Sequence, residues 1–492
     1  MILLKYTTPE KKGISSEKIL EFVKSLENAK LSSHDVIIMR GDEIIYEAYW
    51  KPFHKDFLHR MYSVSKSIVA LAVGFAEQDG LLSLDDKIIK YFPEELKNQK
   101  DENMRNQTIR NMLMMSTAKP AVYWFTHRPK DRVQFYFENN LKESRPAGTV
   151  FHYDSEGSFV LGALVERLTK KNLRDYLNEK AFKKIGVSDE AYFLKCPGGH
   201  SWGDSAYMCT PLDILKIAKF VMNGGRVNGE QLLNEDYINK AVSKQIDNAM
   251  MLANEYNTQG YGYLIWRSFD NSFFFNGMGD QVALCIPDKD IVFVYNGDNQ
   301  GKDYSRRIIF NNFFNMISRT AQDAPLPENP EAQKELNEFT ENLTLLHATG
   351  EKSSEAVQKI HNKTYIMDEN AMGITKMKFE FSEDGGVLYY TNAQGNKELP
   401  FKMCENAYVP FPHDGYADEV GGVPSDIHYN SAVSAAWVDP KTLHIKVQVI
   451  DKYFGNLDIQ AGFKDDEIGI YMTRAAEDLL DEYMGFAGGK AI

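Results

Sequence analysis

The fold is decided by residues 63–76, Ser-Val-Ser-Lys-Ser-Ile-Val-Ala-Leu-Ala-Val-Gly-Phe-Ala. Their apolar side chains recur at the i, i+3, i+4, i+7 spacing of a buried helix, at Ile68, Leu71, Ala72 and Phe75. Residues three apart share a face of a helix, so this helix holds the Lys66 amine against the Ser63 hydroxyl. That pair is a nucleophile with its base. The plainer alternative is that Ser63 caps the helix while Lys66 points to water.

The Ser-x-x-Lys spacing alone is a weak signal, because it occurs at Ser15/Lys18, Ser63/Lys66 and Ser116/Lys119. Ser15 opens an amphipathic stretch, where a serine serves as the N-cap and Lys18 as a solvated charge. Lys119 precedes Pro120, which disfavours helical geometry at the lysine and breaks the one-turn relation. The helical context therefore favours the pair at Ser63.

Length and charge bound the class of protein. The chain has 492 residues, which is too long for one ordinary core and predicts two or three domains. The net charge of −13 argues against binding to nucleic acid or to an anionic membrane, because both need clustered Lys and Arg. We expect the partner to be a small molecule or a peptide.

The sequence offers no membrane or export signal. No apolar run approaches the roughly 18 residues that span a bilayer, and the first residues lack the basic segment and apolar core of a signal peptide. The cysteines are scattered, without Cys-x-x-Cys spacing, at Cys196, Cys209, Cys285 and Cys404. They are expected to be reduced core thiols. A cytoplasmic protein is predicted.

Strand patterns flank a helical region in the first part of the chain. A hairpin pattern at 36–50 precedes the helices, and strand patterns at 262–295 follow them. This order predicts an α+β fold, in which one antiparallel sheet is flanked by helices and carries a helical insertion.

The chain is predicted to contain two domains. A polar, proline-rich stretch begins at residue 323, so we assign a first domain 1–322, a linker 323–335 and a second domain 336–492. The second domain contains many short strand patterns broken by Gly and Asn. It is expected to be a small antiparallel β-barrel or sandwich with an accessory role.

Three motifs follow one another in an order that resembles the penicillin-recognising serine hydrolases. They are Ser63-Val-Ser-Lys66, residues 146–155 (Pro-Ala-Gly-Thr-Val-Phe-His-Tyr-Asp-Ser) and residues 275–281 (Phe-Asn-Gly-Met-Gly-Asp-Gln). The chain is most similar to the branch related to class C β-lactamases, with its family VIII esterases, nylon-oligomer hydrolases and D-aminopeptidases. The resemblance extends from about residue 8 to about residue 318 and implies a β-lactamase/transpeptidase-like fold.

The resemblance also implies roles for single residues. Ser63 is the expected nucleophile, at a helix N-terminus whose dipole favours the alkoxide, and Lys66 and Tyr153 share the expected base and acid work. The Met278 N–H joins that of Ser63 as the oxyanion hole. The sequence does not decide whether Lys66 or Tyr153 takes the first proton. The residues expected to contact substrate are Ser155, Asn276, Gly277, Gly279, Trp202 and Tyr207.

The third motif departs from the better-known members of the family. Class C β-lactamases have Lys-Thr-Gly and many esterases have His-x-Gly, whereas the aligned triplet here is Phe275-Asn276-Gly277. The missing cation would otherwise bind a substrate carboxylate. Its loss weakens the case for hydrolysis of β-lactams.

A competing nucleophile is Ser201, in Gly199-His-Ser201-Trp-Gly203. This Gly-x-Ser-x-Gly pattern is the nucleophile elbow of α/β-hydrolases, which needs a strand before the serine and a helix starting at it. The next helix is not predicted before Pro211, so the match is expected to be a coincidence in a glycine-rich loop.

The leading hypothesis is a serine hydrolase that cleaves a small ester, a D-amino-acid amide or a peptide-like amide through an acyl-enzyme on Ser63. One alternative is an inactive binding protein on the same scaffold that recognises a peptide or cell-wall fragment. Another is a β-lactamase proper. The sequence has no cluster with metal-ligand spacing and no phosphate-binding loop, so no cofactor is predicted.

Overall fold

A seven-stranded sheet is the centre of the first unit of the protein. The computed structural model describes residues 2, 4–119, 127, 129–138, 143–251, 254–414, 428–477 and 479–492. The strands of this unit are β1 (Lys5–Tyr6), β2 (Ser33–Arg40), β3 (Glu43–Tyr49), β4 (His59–Arg60), β5 (Tyr192–Phe193), β6 (Tyr207–Cys209), β7 (Arg226–Val227), β8 (Glu230–Gln231), β9 (Trp266–Arg267), β10 (Phe273–Gly277), β11 (Gln281–Ile286) and β12 (Ile291–Gly297). The sheet has the strand order β1-β3-β2-β12-β11-β10-β9.

Most helices of the described chain belong to the same unit. They are α1 (Ser16–Asn28), α2 (Val64–Gln78), α3 (Glu102–Asn106), α4 (Ile109–Leu113), α5 (Arg132–Glu138), α6 (Ser155–Thr169), α7 (Leu173–Leu177), α8 (Lys183–Ile185), α9 (Pro211–Met222), α10 (Glu235–Val242), α11 (Ser305–Asn312) and α12 (Pro330–Glu341); α13 (Val357–Ile360) belongs to the second unit. The segments Asn178–Phe182 and Phe313–Ser318 are π-helical. None of the helices within the described residues has the length and apolarity needed to cross a membrane.

The sheet joins distant parts of the chain, as the predicted α+β fold requires. Strand β2 pairs antiparallel with β3 on one side and with β12 on the other. In the second pair Ile37 lies opposite Val294 and Ile38 opposite Phe293, all fully buried, and neighbouring residues of a strand point to opposite faces of the sheet. The central strands are therefore apolar on both faces, because helices cover both of them.

Helix α2 lies inside the helical part and is buried along most of its length. Every residue from Val64 to Ala76 is buried, which explains why the helix is apolar all round. The helix packs on α6 and against the ring of Tyr237. A Cβ atom added at Gly74 would lie 2.4 Å from that ring, so only glycine fits there.

Helix α12 belongs to the first unit. Its Ala332 and Leu336 are buried, and Lys24 of α1 donates to Glu335 at 3.0 Å. The structure divides into compact units after Thr344, which is later in the chain than the proline-rich stretch suggests. The reason is that an amphipathic helix follows the prolines and buries its apolar face on the first unit.

The second unit is a β-barrel. In the part of the chain that the structure describes, nine strands form a closed ring. The ring closes where β16 pairs in parallel with β18, through Lys402–Ser434 and Met403–Ala435. Strand β17 pairs with another part of the same edge of β18. Of the two architectures expected, barrel and sandwich, the barrel is the correct one. Its strands are β13 (Thr364–Met367), β14 (Lys376–Phe381), β15 (Gly385–Asn392), β16 (Gly395–Met403), β17 (Ala407–Asp414), β18 (His428–Asp439), β19 (Thr442–Ile450), β20 (Phe454–Lys464), β21 (Glu467–Ala476) and β22 (Gly485–Ala491).

Candidate active site

The chain makes a strained turn immediately before α2. The Met61 N–H donates to the Tyr207 carbonyl oxygen at 2.9 Å, which anchors the turn to β6. Tyr62 then adopts φ +43°, an uncommon conformation for a non-glycine residue. Ser63 follows as the N-cap residue of α2, but its side chain makes no capping hydrogen bond. The hydroxyl is therefore not committed to the helix end.

Lys66 contacts Ser63 directly. Its Nζ lies 2.8 Å from Ser63 Oγ and donates to the Asp204 carbonyl oxygen at 2.6 Å. The lysine is only 2% exposed. The alternative in which Lys66 points to water is not what the structure shows. A buried amine within hydrogen-bond reach of a hydroxyl is the geometry of a base beside a nucleophile.

Tyr153 lies close to the same lysine. Lys66 Nζ is 5.1 Å from the centre of the Tyr153 ring, which is half-buried and stacks on Trp266 with ring centres 5.6 Å apart. The tyrosine directly precedes Asp154, the N-cap of α6, whose carboxylate accepts from the Gly157 N–H at 2.9 Å. Helix α6 thus carries Tyr153 at its start, next to the N-terminal part of α2.

Ser155, predicted to contact substrate, is the first residue of α6 and is half-buried. Its carbonyl oxygen accepts from the Ser158 hydroxyl at 2.7 Å. The structure therefore brings it to the same helix start as Tyr153.

Strand β10 ends beside the nucleophile turn. A Cβ atom added at Gly277 would lie 2.4 Å from the Met61 carbonyl oxygen, so the absence of a side chain lets the strand approach. Along its edge away from β11, β10 pairs with β9 only through Phe273 and Phe274. Within the residues described, the last part of β10 therefore has no strand partner along this edge.

The turn after β10 presents a free backbone donor. Gly277 pairs with Gln281, and the intervening Gly279 and Asp280 have φ angles of +75° and +72°. Across the described residues, neither the Met278 N–H nor the Ser63 N–H has a hydrogen-bond acceptor. Two unpaired N–H groups near a nucleophile are what an oxyanion hole needs.

The Gln281 side chain stabilises this turn by hydrogen bonds. Its side-chain nitrogen donates to the Met278 carbonyl oxygen at 2.6 Å and to the Gly297 carbonyl oxygen at 2.7 Å. These bonds leave Met278 with its carbonyl turned toward Gln281. Asn276, just before the turn, is half-buried and its Oδ1 accepts from Arg306.

The structure places Trp202 and Tyr207 in the core, not on an open surface. They are 0% and 1% exposed. The guanidinium groups of Arg60 and Arg132 stack on the Trp202 ring, 4.8 and 4.6 Å from its centre. Burial raises the pKa of the Tyr207 hydroxyl well above its ordinary value. Their expected contact with substrate therefore disagrees with this arrangement, since both side chains are buried.

Ser201 is not at a nucleophile elbow. Its N–H donates to the Glu166 carboxylate at 3.3 Å, and the next helix begins only at Pro211. The residue is flanked by loop and is 6% exposed. Without a helix that starts at the serine, the backbone geometry of the elbow is missing.

The other two Ser-x-x-Lys strings have structural roles. The Ser15 hydroxyl caps α1 by accepting from the Glu17 N–H, as predicted. Lys119 Nζ donates to the Tyr136 carbonyl oxygen at 2.5 Å, away from Ser116, whose hydroxyl donates to the Asn111 carbonyl oxygen. Burial lowers the pKa of Lys119.

Sequence reasoning missed the groups that surround the pair from distant segments. The Asp204 carbonyl oxygen and the Trp266 ring have no motif that would identify them. Arg306 is different, because the unusual Asp280 in the third motif is its ion-pair partner. Of the residues described, no three His, Cys, Asp or Glu side chains are grouped so that they could hold a metal ion.

Comparison with known proteins identifies one family model. The model described as Beta-lactamase matches residues 23–310. This range contains Ser63, Lys66, Tyr153, Met278 and Arg306, and it ends before the barrel unit.

The chain is also similar to characterised hydrolases. It is 22% identical over 221 residues to the 6-aminohexanoate-dimer hydrolase of Paenarthrobacter ureafaciens, which is 42% of this chain and 56% of that protein. It is 27% identical over 193 residues to esterase EstB of Burkholderia gladioli, 34% of this chain and 49% of that protein. The chain thus matches only 56% and 49% of the length of these relatives.

A solved structure has the same fold. EstCE1, a hydrolase with promiscuous acyltransferase activity, superposes with a TM-score of 0.51 at 13% identity. The superposition covers 61% of this chain and 98% of that chain. At this identity the similarity concerns the fold.

Proposed function

Because the chain belongs to the beta-lactamase family of serine hydrolases, we propose that it hydrolyses an ester or amide through an acyl-enzyme on Ser63. The observation that carries this proposal is the distance of 2.8 Å between Lys66 Nζ and a Ser63 hydroxyl that does not cap its helix. The strained Tyr62 in front of Ser63 supports it, because backbone strain clusters at functional sites.

In the acylation step Ser63 Oγ attacks the substrate carbonyl carbon and gives up its proton to Lys66 or Tyr153. The carbonyl oxygen becomes an oxyanion between the N–H groups of Ser63 and Met278, which have no other acceptor among the described residues. When the intermediate collapses, the leaving alcohol or amine takes this proton from the Tyr153 hydroxyl, which received it either directly from Ser63 or from Lys66. A water molecule then attacks the acyl-enzyme with the same groups in reverse roles.

The proposed substrate is a small-molecule or peptide-like acyl compound without a carboxylate that must be paired. At the third motif the cation of the β-lactamases is replaced by Phe275, the next residue is the neutral Asn276, and the nearby Arg306 already has Asp280 as its counter-charge. Small esters, D-amino-acid amides and peptide-like amides fit such a site better than penicillins do.

The proposal is tested by labelling the full chain with a fluorophosphonate probe. The wild type and Ser201→Ala are expected to be labelled at the same rate, and Ser63→Ala not at all. Labelling of Ser63→Ala at the wild-type rate would contradict the assignment of the nucleophile. No labelling of the wild type would favour a binding protein on the same scaffold.

The substrate class is tested with a panel of acyl donors. It contains p-nitrophenyl esters, D-amino-acid amides, linear and cyclic amides and a chromogenic cephalosporin. Turnover of an ester or amide with little turnover of the cephalosporin is expected. A cephalosporin turned over faster than every ester and amide would contradict the substrate assignment and favour a β-lactamase.

A further inference from the structure

Arg306 forms a buried ion pair with the turn that follows β10. It lies in the first turn of α11, is 9% exposed and donates to Asp280 Oδ1 from Nε at 3.0 Å and from Nη2 at 2.8 Å. Asp280 is 5% exposed, and its other carboxylate oxygen accepts from the Ser305 hydroxyl. Both oxygens of the carboxylate are therefore used.

The same guanidinium reaches the last residues of β10. Nη1 donates to Asn276 Oδ1, and Nη2 lies 3.4 Å from the Gly277 carbonyl oxygen. Arg306 thus contacts the chain on both sides of Met278. One side chain holds the two ends of the turn that carries the proposed oxyanion donor.

An aspartate at position 280 is consistent with these contacts of Arg306. Asp280 adopts φ +72°, where glycine would be less strained. Aspartate tolerates this region better than most residues, and here its carboxylate is paired with Arg306. The backbone strain at Asp280 is thus offset by its ion pair with Arg306.

Arg306 also decides which way the Asn276 amide points. A guanidinium has donors only, so the oxygen of the amide must face it. The Asn276 amino group is then directed elsewhere, and it has no acceptor among the described residues. The side chain is partly exposed. The third motif therefore presents a neutral donor at Asn276, and the position of the β-lactamase lysine holds Phe275.

We propose that Arg306 is a positioning residue of this site. It fixes the Met278 N–H through Asp280 and Gly277, and it sets the Asn276 amide as a donor for a neutral acceptor, a carbonyl or hydroxyl oxygen of the substrate. This inference rests on the proposed serine hydrolase function. Arg306 would then position the oxyanion donor, and Asn276 would select substrates with a second neutral acceptor.

The first test compares three variants of the full chain: Arg306→Lys, Arg306→Gln and Asp280→Asn. The substrate is the best p-nitrophenyl ester. Displacing an oxyanion donor reduces the stabilisation of the transition state more than the binding of the substrate. Arg306→Gln is therefore expected to lower kcat by about 10²-fold, with KM changed by less than about threefold. Arg306→Lys, which keeps the charge but not the fork, is expected to restore part of that loss.

The matched control is Lys219→Gln. Lys219 is 3% exposed and pairs with Asp290 at 2.8 Å, so it is another buried cation of the same unit outside the site. Its loss is expected to lower the melting temperature and to leave kcat within about twofold of wild type. A merely structural role for Arg306 would produce the same result as this control.

The second test is Asn276→Asp. The carboxylate still accepts from Arg306 but replaces the amino donor, so the melting temperature is expected to stay the same or rise. We expect kcat/KM to fall by about tenfold or more for an N-acetyl-amino-acid p-nitrophenyl ester, which carries a second carbonyl, and by less than about threefold for p-nitrophenyl acetate. An equal loss for both esters would overturn the assignment of Asn276.

Folded Arg306→Gln and Asp280→Asn variants with kcat within about twofold of wild type would overturn the role of Arg306 while leaving the hydrolase intact. If Arg306→Gln does not fold, Asp280→Asn decides. A wild type that reacts with no acyl donor and no fluorophosphonate would overturn the hydrolase proposal and this one together.

Discussion

Gly277 and Met61 lie so close together that a Cβ atom on the glycine would stand 2.4 Å from the Met61 carbonyl oxygen. Met61 is two residues before Ser63, and Gly277 is the residue before Met278. This approach of β10 to the nucleophile turn therefore sets the separation of the two proposed oxyanion donors. It depends on the absence of one side chain.

Gly277→Ala is expected to push β10 away from the nucleophile turn. The added Cβ atom would also lie 2.9 Å from Gln281 Cβ, so it meets both the nucleophile turn and β11. We expect a loss of about 10²-fold or more in kcat/KM for a p-nitrophenyl ester, because small displacements of reacting groups are costly. A destabilisation of about 1–3 kcal/mol, measured by urea unfolding, is expected as well.

The control for this prediction is Gly469→Ala in the barrel. A Cβ atom there meets nothing within 4 Å, so activity and stability are expected to remain near the wild-type values. Full activity of Gly277→Ala would show that β10 and the nucleophile turn can separate without effect.

Lys66→Gln is expected to remove most of the reactivity of Ser63. The amine is the one side-chain group shown to contact the Ser63 hydroxyl within the described residues. Loss of a general base costs about 10²–10⁴-fold in rate, which is measured as the rate of fluorophosphonate labelling. Lys119→Gln changes another buried lysine in a Ser-x-x-Lys string and is expected to lower stability but not labelling. Similar labelling of the two variants would contradict the role of Lys66.

Tyr153→Phe separates the chemistry of the hydroxyl from the packing of the ring. The stacking on Trp266 is kept, and the hydroxyl makes no hydrogen bond to a described residue. We expect stability within about 0.5 kcal/mol of wild type and a fall in kcat of about 10²-fold or more. Tyr237→Phe, which loses a bond of 2.6 Å to the Ala70 carbonyl oxygen, is expected to show the opposite pattern. Unchanged kcat in Tyr153→Phe would remove this tyrosine from the mechanism.

The stability of the protein is expected to fall in mild acid because of two buried histidines. His34 Nδ1 and His59 Nε2 lie 2.8 Å apart in the core. Burial lowers the pKa of His59 to about 3, and burial together with the neighbouring His59 lowers the pKa of His34 well below its ordinary value. Between pH 6.5 and about 3 the unfolded chain therefore binds protons that the folded chain does not, so stability is lost as the pH falls.

His59→Asn is expected to make this pH dependence shallower by up to about 1.4 kcal/mol per pH unit below pH 6.5. The measurement is urea unfolding at a series of pH values from neutral to acid. His152→Asn, which removes an exposed histidine, serves as the control. Equal slopes for wild type and His59→Asn would show that the buried ring does not cause the acid sensitivity.

Much of the fold follows from patterns that are local in sequence. The apolar spacing after Lys66 predicts α2, and the alternating strands near Ile38 predict the β2–β3 hairpin, because the burial period of each element is contained in its own residues. The division of the chain is less local. The prolines at 323–330 predict a linker, yet the helix Pro330–Glu341 packs on α1, and that contact involves residues about 300 positions away.

The site, like the fold, could be predicted from the sequence only in part. Ser63, Lys66, Tyr153 and Gly277 are identified by motifs, and the structure brings them around one helix start. Trp202 shows the limit of such reasoning. An aromatic residue in a glycine-rich loop is as compatible with a cleft as with a core, and only the tertiary structure shows that Trp202 is buried and packed on two arginines.

The sequence by itself determined that Ser63 and Lys66 share one face of a helix, because the geometry of a helix turn brings residues three apart to the same side. That the lysine contacts the serine rather than water was decided by its burial. The tertiary structure alone decided what surrounds that pair. The Asp204 carbonyl oxygen lies 138 residues from Lys66 along the chain, and Arg306 holds the turn of Met278 from another helix. Such contacts depend on how distant segments pack, and no spacing within a segment encodes them.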